Sequence, residues 1–314
     1  MESTVNDLPQ QALDWCLQLT GGTGQPCAVT RLRGGIAAST HLIEWGTASG
    51  TERAVVLRRF VGARTPIWPP IEQELAALAA VAECRLPYQT PRALGFDLDG
   101  RACGHPALVL SRVPGALNLS PQHSRTRAAA LGQSLAQLHA AKPRVPNELR
   151  PFAIKLEQTA PDGDTIDWPR VRAALATLTL TGDELLHGDF HMGNALFEGD
   201  TLTALLDFTC VRRGPWQSDV GYCRCDLALL FGSAEADEFL DAYETTRGLR
   251  VDALPLWDLA GAMRAHPDAS AWLPGWLDAG RSDLDAPLVA ERLTTFVAQA
   301  LRRVEDGSAT REGI

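Results

Sequence analysis

Between residues 185 and 219 the chain reads LLHGDFHMGNALFEGDTLTALLDFTCVRRGPWQSD, which sets His187, Asp189 and Asn194 in the spacing H-x-D-x-x-x-x-N. A further carboxylate, Asp207, directly follows Leu205 and Leu206. These residue types suit phosphoryl transfer, in which the protein does little covalent work and instead positions groups and neutralises charge. One carboxylate must orient and deprotonate the acceptor hydroxyl, and oxygen donors must hold magnesium. Asp189 is the candidate base. Asn194 lies far enough along a loop for its amide oxygen to face the same phosphates, and Asp207 ends a segment with the pattern of a strand. Those two are the candidate magnesium ligands.

The intervening segment supplies a way to bring them together. Glu198, Gly199 and Asp200 carry turn chemistry between the apolar runs 195–197 and 202–206, so the ligand-bearing segments pair as a hairpin. A second reading stays open, because His187, Asp189 and His191 alternate along the chain and alternating ligands also suit the metal cluster of a hydrolase. That reading leaves Asn194 and Asp207 without a task.

The same residues resemble the aminoglycoside phosphotransferase family, small-molecule kinases with a protein-kinase-like fold, whose signature reads HGDxHxGN, a short hairpin, then Asp and an aromatic. Here these are His187, Gly188, Asp189, His191, Gly193, Asn194, Asp207 and Phe208. The family continues with Gly-Asp-Pro and a later Asp. This chain has Gly214, Pro215 and Trp216, with Asp219 in the later position. The resemblance implies an α+β, two-lobe fold: an N-lobe, residues 1–113, of antiparallel sheet plus one helix, and a mainly helical C-lobe, residues 114–314, with the catalytic loop, metal site and acceptor-binding helices.

The N-terminal half has features that fit this plan. Residues 11–19 form a short amphipathic stretch before Gly21 and Gly22, read as a helix without chemistry. Strand patterns follow at 28–32 and 41–45, flanking a loop of small residues whose amides can approach phosphate oxygens. Ser39 is the residue there best placed to touch phosphate, and an ordinary hairpin is the alternative. A third strand covers 53–60. By the resemblance its Arg58 replaces the phosphate-binding lysine of protein kinases, which is not a neutral exchange of a point charge for a planar fork. Arg59, on the other side of the strand, reads as the solvent residue. A helix begins after Pro69 and Pro70 with Ile71, Leu75 and Leu78 at helical spacing. Glu74 shares that inward face, and a carboxylate at the edge of an apolar stripe needs a partner. The resemblance offers Arg58 as that partner; a solvated position at the rim is the other option. It also makes the strand at 106–111 the approach to the inter-lobe hinge, with backbone groups of Ser111 and Val113 reading adenine.

Bulk properties limit the remaining classes. The net charge of −9 disfavours a nucleic-acid surface and tolerates a cationic small molecule. No apolar run has the length of a membrane span, and the polar, acidic start lacks a leader pattern, as expected of a cytoplasmic protein. Seven scattered cysteines fit neither a zinc knuckle nor a disulfide framework. Lysine occurs only at Lys142 and Lys155, so nearly all positive charge is arginine.

In the C-terminal two thirds, an Ala-rich helix at 125–141 ends near His139, read as a packing residue. Further helical patterns cover 222–231, 235–246 and 287–304, with residues 306–314 read as frayed. Trp257, Trp272 and Trp276, interspersed with Asp258, Asp268 and Asp278, read as packing or as one wall of an acceptor pocket. The expected protein is a magnesium-dependent kinase using ATP or GTP on a hydroxyl of a small molecule. An antibiotic such as an aminoglycoside is the first expectation. Macrolides, nucleoside antibiotics, choline-like alcohols and sugar metabolites are alternatives, as is a nucleotide-binding protein without transferase activity. Oligomeric state is not encoded legibly.

Overall fold

The computed structural model describes residues 8–21, 26–32, 38–46, 53–61, 71–156, 165–265 and 268–309. Contacts divide the chain into two compact units, Met1–Ala82 with Gln89–Val113, and Glu83–Tyr88 with Pro114–Ile314.

In the first unit, α1 (Gln10–Thr20) precedes β1 (Ala28–Leu32), β2 (Ser39–Trp45) and β3 (Arg53–Arg59), followed by α2 (Ile71–Ala82), β4 (Ala93–Asp97) and β5 (Ala107–Ser111). The strands form one antiparallel sheet in the order β1-β2-β3-β5-β4. Alternation sorts their side chains onto two faces. Val29, Ile43, Val55, Leu57 and Val109 pack with Ala12, Leu13 and Cys16 of α1 in one buried cluster. Burying a side chain such as Ile43 or Leu57 contributes roughly 1.5–3 kcal/mol, so this layer fixes the register of β3. Gly21 ends α1 at φ 61, donating to the carbonyls of Gln18 and Leu17. The loop read as covering phosphates lies mostly at residues 33–37, outside the described residues, as do Gly22, Pro69 and Pro70.

Strand β4 carries no signal that sequence patterning detects. It is a short edge strand with a register shift between Ala93 and Gly95. A Cβ at Gly95 would lie 2.5 Å from Leu19 Cδ1 of α1, so the glycine that weakens the strand pattern permits close approach of the helix.

The second unit is mainly helical. It comprises α3 (Ser124–Ala141), α4 (Trp168–Leu175), β6 (Glu184–Leu186), β7 (Ala195–Glu198), β8 (Thr201–Leu205) and β9 (Arg212–Gly214). These are followed by α5 (Gln217–Leu230), α6 (Ser233–Arg247), α7 (Leu254–Ala265), α8 (Leu273–Asp278) and α9 (Ala286–Ala309). β7 and β8 form the expected hairpin, closed by Gly199 at φ 61 and Asp200, while β6 pairs with β9. Helix α9 continues past Val304 through residues read as frayed. Helices approach closely where glycine permits it: a Cβ at Gly132 of α3 would lie 2.2 Å from the Phe239 carbonyl oxygen, and one at Gly221 of α5 would lie 2.1 Å from that of Trp257. Between α5 and α7, buried Arg224 pairs with buried Asp258 at 2.8 Å. Asp258 and Trp257 are therefore packed in the helix core.

Candidate active site

In the second unit, β6 leads into His187, whose ring is fully buried between Phe208 and Phe190 at centroid distances of 4.7 and 5.5 Å. Its Nε2 lies 2.9 Å from the Leu206 carbonyl oxygen and its Nδ1 accepts the Asp189 N–H at 3.3 Å. The first nitrogen is therefore the protonated one, an assignment that follows from the bonds. Burial pushes its pKa down, against the pull of Asp219 and Asp189. Both nitrogens are engaged, which removes His187 from any metal cluster of the hydrolase kind.

Gly188 has φ 75, and a Cβ there would lie 1.9 Å from the Cys210 carbonyl oxygen. Only glycine supplies both the left-handed backbone and the close approach. The amides of His187 and Gly188 donate to Asp219 at 2.8 and 2.9 Å. Asp219 lies in the first turn of α5, where the helix dipole also favours a carboxylate. Behind it, His139 Nε2 is 3.5 Å from Asp219 and His139 Nδ1 is 2.9 Å from the Tyr243 hydroxyl. His139 is thus part of the support of the loop as well as a packing residue.

Asp189 is held from two sides. Asn194 Nδ2 donates to its backbone oxygen at 2.9 Å and approaches its Oδ2 at 3.4 Å. Arg264 of α7 donates to Oδ1 at 2.9 Å and to the Gly188 carbonyl, and its guanidinium lies 3.6 Å from the Tyr222 ring centroid. Burial raises the pKa of Asp189, but the neighbouring His191 and Arg264 outweigh it and hold the carboxyl far below its usual range. His191 caps the turn Met192–Asn194 by accepting the Gly193 N–H at 3.2 Å. Burial pulls its pKa down, yet Asp189 and Asp226 bring it up to about 9. His191 Nδ1 also lies 3.8 Å from Asp226 Oδ1.

Asp207 follows β8, next to Asn194 through the bond from the Leu206 N–H to the Asn194 carbonyl at 2.8 Å. Its backbone is left-handed, φ 60 and ψ 71, and its Oδ1 accepts from the Thr209 N–H at 3.3 Å and from the Thr209 hydroxyl. A non-glycine residue in this region is costly, a feature that clusters at functional sites. Because Asn194 spends its NH₂ on Asp189, its amide oxygen faces elsewhere. An amide oxygen and a carboxylate from adjacent segments are the hard donors that magnesium accepts.

In the first unit, Arg58 Nη1 and Glu74 Oε1 are 2.6 Å apart with both side chains buried. Glu72 is exposed, as its helical position requires. Ser39 is not brought to this pair: β2 and β3 set Thr40 opposite Arg58 and Ser39 opposite Arg59, which leaves Ser39 on the other face of the sheet from Arg58. The expectation that Arg59 faces solvent is corrected, because it is buried and donates to the Cys103 carbonyl at 2.9 Å. Ser111 already donates its N–H to the Arg92 carbonyl at 2.8 Å, and its Oγ accepts the Arg92 N–H. Among the described residues no hydrogen bond engages the backbone of Val113, the last residue of the unit.

Sequence reasoning did not single out Arg264, Tyr222 or the supporting role of His139. Arg264 lies on a helix far along the chain with no local motif around it, and only the fold brings it to Asp189.

The model of the phosphotransferase enzyme family matches residues 28–259, and the chain belongs to that family. It has the α+β, protein-kinase-like architecture of that family. Among curated proteins it is similar to homoserine kinases of Methylobacterium sp. (strain 4-46), 28% identical, and Methylobacterium nodulans, 30% identical. Each match covers 52% of this chain and 57% of the relative, so the chain spans just over half the length of these relatives. Among solved structures, a thermostable mutant of aminoglycoside phosphotransferase APH(4)-Ia in its apo form matches with a TM-score of 0.60 at 14% identity, covering 91% of this chain and 98% of that one. A further variant of that enzyme, in a ternary complex with ADP and hygromycin B, matches with a TM-score of 0.57, also at 14% identity, covering 91% of this chain and 97% of that one. Among the described residues no helix is long and apolar enough to cross a membrane.

Proposed function

We propose that this protein is a kinase that transfers the γ-phosphoryl group of ATP to a hydroxyl of a small molecule. The observation that carries the reading is the single loop in which Asn194 is hydrogen-bonded to Asp189 and joined through its backbone to the segment that presents Asp207. Asp189 orients the acceptor hydroxyl. Its depressed pKa makes it a weak proton acceptor, which suits a loose transition state where the hydroxyl proton leaves late. Asn194 and Asp207 would hold magnesium, which supplies neutralisation of the phosphate charge when bound. Arg58, fixed by Glu74, would hold donor phosphates, with the backbone of Val113 as a further nucleotide contact. The Ser111 amide, already donated to the Arg92 carbonyl, is a poorer candidate for adenine.

The complex of the structural neighbour with ADP supports ATP as donor. Homoserine kinases among the sequence relatives support a small hydroxylated metabolite as acceptor. An aminoglycoside is the second reading, favoured by the name of the structural neighbour alone. The test is nucleotide consumption by purified protein with magnesium, using ATP and GTP in parallel, against amino alcohols, hydroxy amino acids, aminoglycosides, macrolides and nucleoside antibiotics. Turnover with one class that disappears in Asp189→Ala is the expected result. Turnover that persists in that variant overturns the role of Asp189, and nucleotide binding with no turnover on any acceptor leaves a non-catalytic nucleotide-binding protein.

A further inference from the structure

Several arginines lie near Asp189 among the carboxylates of its loop. Arg264 is spent on Asp189, but Arg212 is not matched in this way. Arg212 opens β9, where it stands opposite Leu186 in register, and Leu186 leads directly into His187, Gly188 and Asp189. The backbone preceding Arg212 packs against the same loop, since the Cys210 carbonyl oxygen occupies the space a Cβ on Gly188 would need. On its other side β9 lies along residues 150–152: the Arg213 N–H donates to the Arg150 carbonyl at 3.1 Å, and Arg213 bridges Pro151 in parallel. Arg150 and Arg212 are therefore carried on adjacent segments beside the Asp189 loop.

Half-buried Arg212 has no carboxylate partner among the described residues. Its one hydrogen bond runs to the neighbouring Val211 carbonyl at 2.7 Å. By contrast, Arg213 lies 3.6 Å from Asp183, and Arg224 and Arg281 each pair with an aspartate at 2.8 Å. Burial lowers the pKa of Arg212; Cys210 pulls it up, and the charges of Arg150 and Arg264 lower it further. The Cys210 thiol sits within electrostatic reach of Asp189, Asp207, Arg212 and Arg264. Burial raises its pKa. A half-buried guanidinium without a carboxylate partner keeps donors that a ligand anion can engage.

We propose that Arg212, with Arg150 beside it, forms the subsite for a carboxylate carried by the acceptor, next to the Asp189 that orients its hydroxyl. The guanidinium fork matches a carboxylate in a bidentate pair. This assignment rests on the kinase reading and narrows it to anionic hydroxy compounds, against the polycationic aminoglycosides that the net charge of the chain favours.

The experiment compares L-homoserine with 3-aminopropan-1-ol, which differ only in the carboxylate, and with hygromycin B, in wild type, Arg212→Ala and Arg212→Lys. Wild type is expected to favour the carboxylate compound in kcat/KM by at least about tenfold. Arg212→Ala should raise its KM about 10- to 100-fold, the range of a lost charge-assisted pair, while KM for ATP and the kinetics of the amino alcohol stay unchanged. Arg212→Lys should recover part of the loss. Equal or better turnover of the amino alcohol or hygromycin B by wild type overturns the subsite and leaves the kinase standing. A raised KM for ATP in Arg212→Ala overturns it by assigning the arginine to the donor. Absence of turnover with every acceptor removes the kinase reading, and the subsite with it.

Discussion

Asp219 accepts the backbone N–H of His187 at 2.8 Å, with the neighbouring Gly188 N–H on its other oxygen at 2.9 Å. One carboxylate at the start of α5 thus ties down the two residues that precede Asp189. Replacing Asp219 with Ala leaves two buried amides without acceptors, at about 1–3 kcal/mol each. We expect a lower denaturant midpoint and a larger loss in kcat than in KM for the acceptor. A variant with wild-type stability and turnover would show that the loop does not depend on this clamp.

Asp189→Ala is expected to lower turnover by roughly two to four orders of magnitude, the range for a positioned acid or base. Nucleotide affinity should be nearly unchanged. Asp207→Ala should weaken binding of Mg-ATP as well as rate, and calorimetric titration separates the two. Unchanged affinity in Asp207→Ala excludes it as a metal ligand.

Arg58 and Glu74 form a buried pair, and removing one partner strands the other. Glu74→Ala is predicted to destabilise the protein by roughly 3–5 kcal/mol and to raise KM for ATP. Chemical denaturation checks the first effect and steady-state kinetics at fixed acceptor the second. If stability holds while KM for ATP rises, the pair serves the nucleotide alone.

Gly188→Ala places a Cβ 1.9 Å from a backbone oxygen at a residue with φ 75. The backbone cannot retreat as a flexible side chain would, so the loop must shift. Activity should fall at least about a hundredfold, since small displacements of a reacting group carry penalties of that size. Full activity in this variant would mean that the loop tolerates displacement.

Cys16 and Cys103 are buried in the first unit, with burial the main cause pushing their pKa values from 9.0 up to about 12 and about 11. Their folded values exceed the unfolded one, so the stability they contribute is fully present below pH 9 and lost as pH rises through 11 to 12. Equilibrium unfolding from pH 8 to 11 should show stability falling above pH 9, less steeply in Cys103→Ala. At pH 8 a thiol reagent should modify exposed Cys27 in native protein and spare Cys16.

The hairpin that carries the candidate site was legible from local order alone. The spacing of His187, Asp189 and Asn194, the turn at Gly199 and the strand-like run before Asp207 are properties of contiguous chain, and turn chemistry converts them directly into a hairpin. The pairing of Arg58 with Glu74 was within reach through the family resemblance, with helical spacing placing Glu74 on the inward face of α2. Other features were not accessible in that way. Strand β4 hides behind a glycine required by Leu19, and Arg59 looked like a solvent residue because strand alternation does not say that its face is covered by α1.

Three relationships belong to tertiary structure only. Asp219 reaching His187, Arg264 reaching Asp189, and Arg212 standing beside that loop without a carboxylate all join residues whose separation along the chain leaves no periodic trace. The sequence by itself determined the chemistry available, since residue type and short-range spacing govern which groups can share a loop. Helix packing decided how that chemistry is charged, because the local field depends on which distant side chains are brought within a few ångströms. For that reason the acidic composition pointed toward cationic acceptors, whereas the acceptor proposed from Arg212 beside Asp189 is anionic.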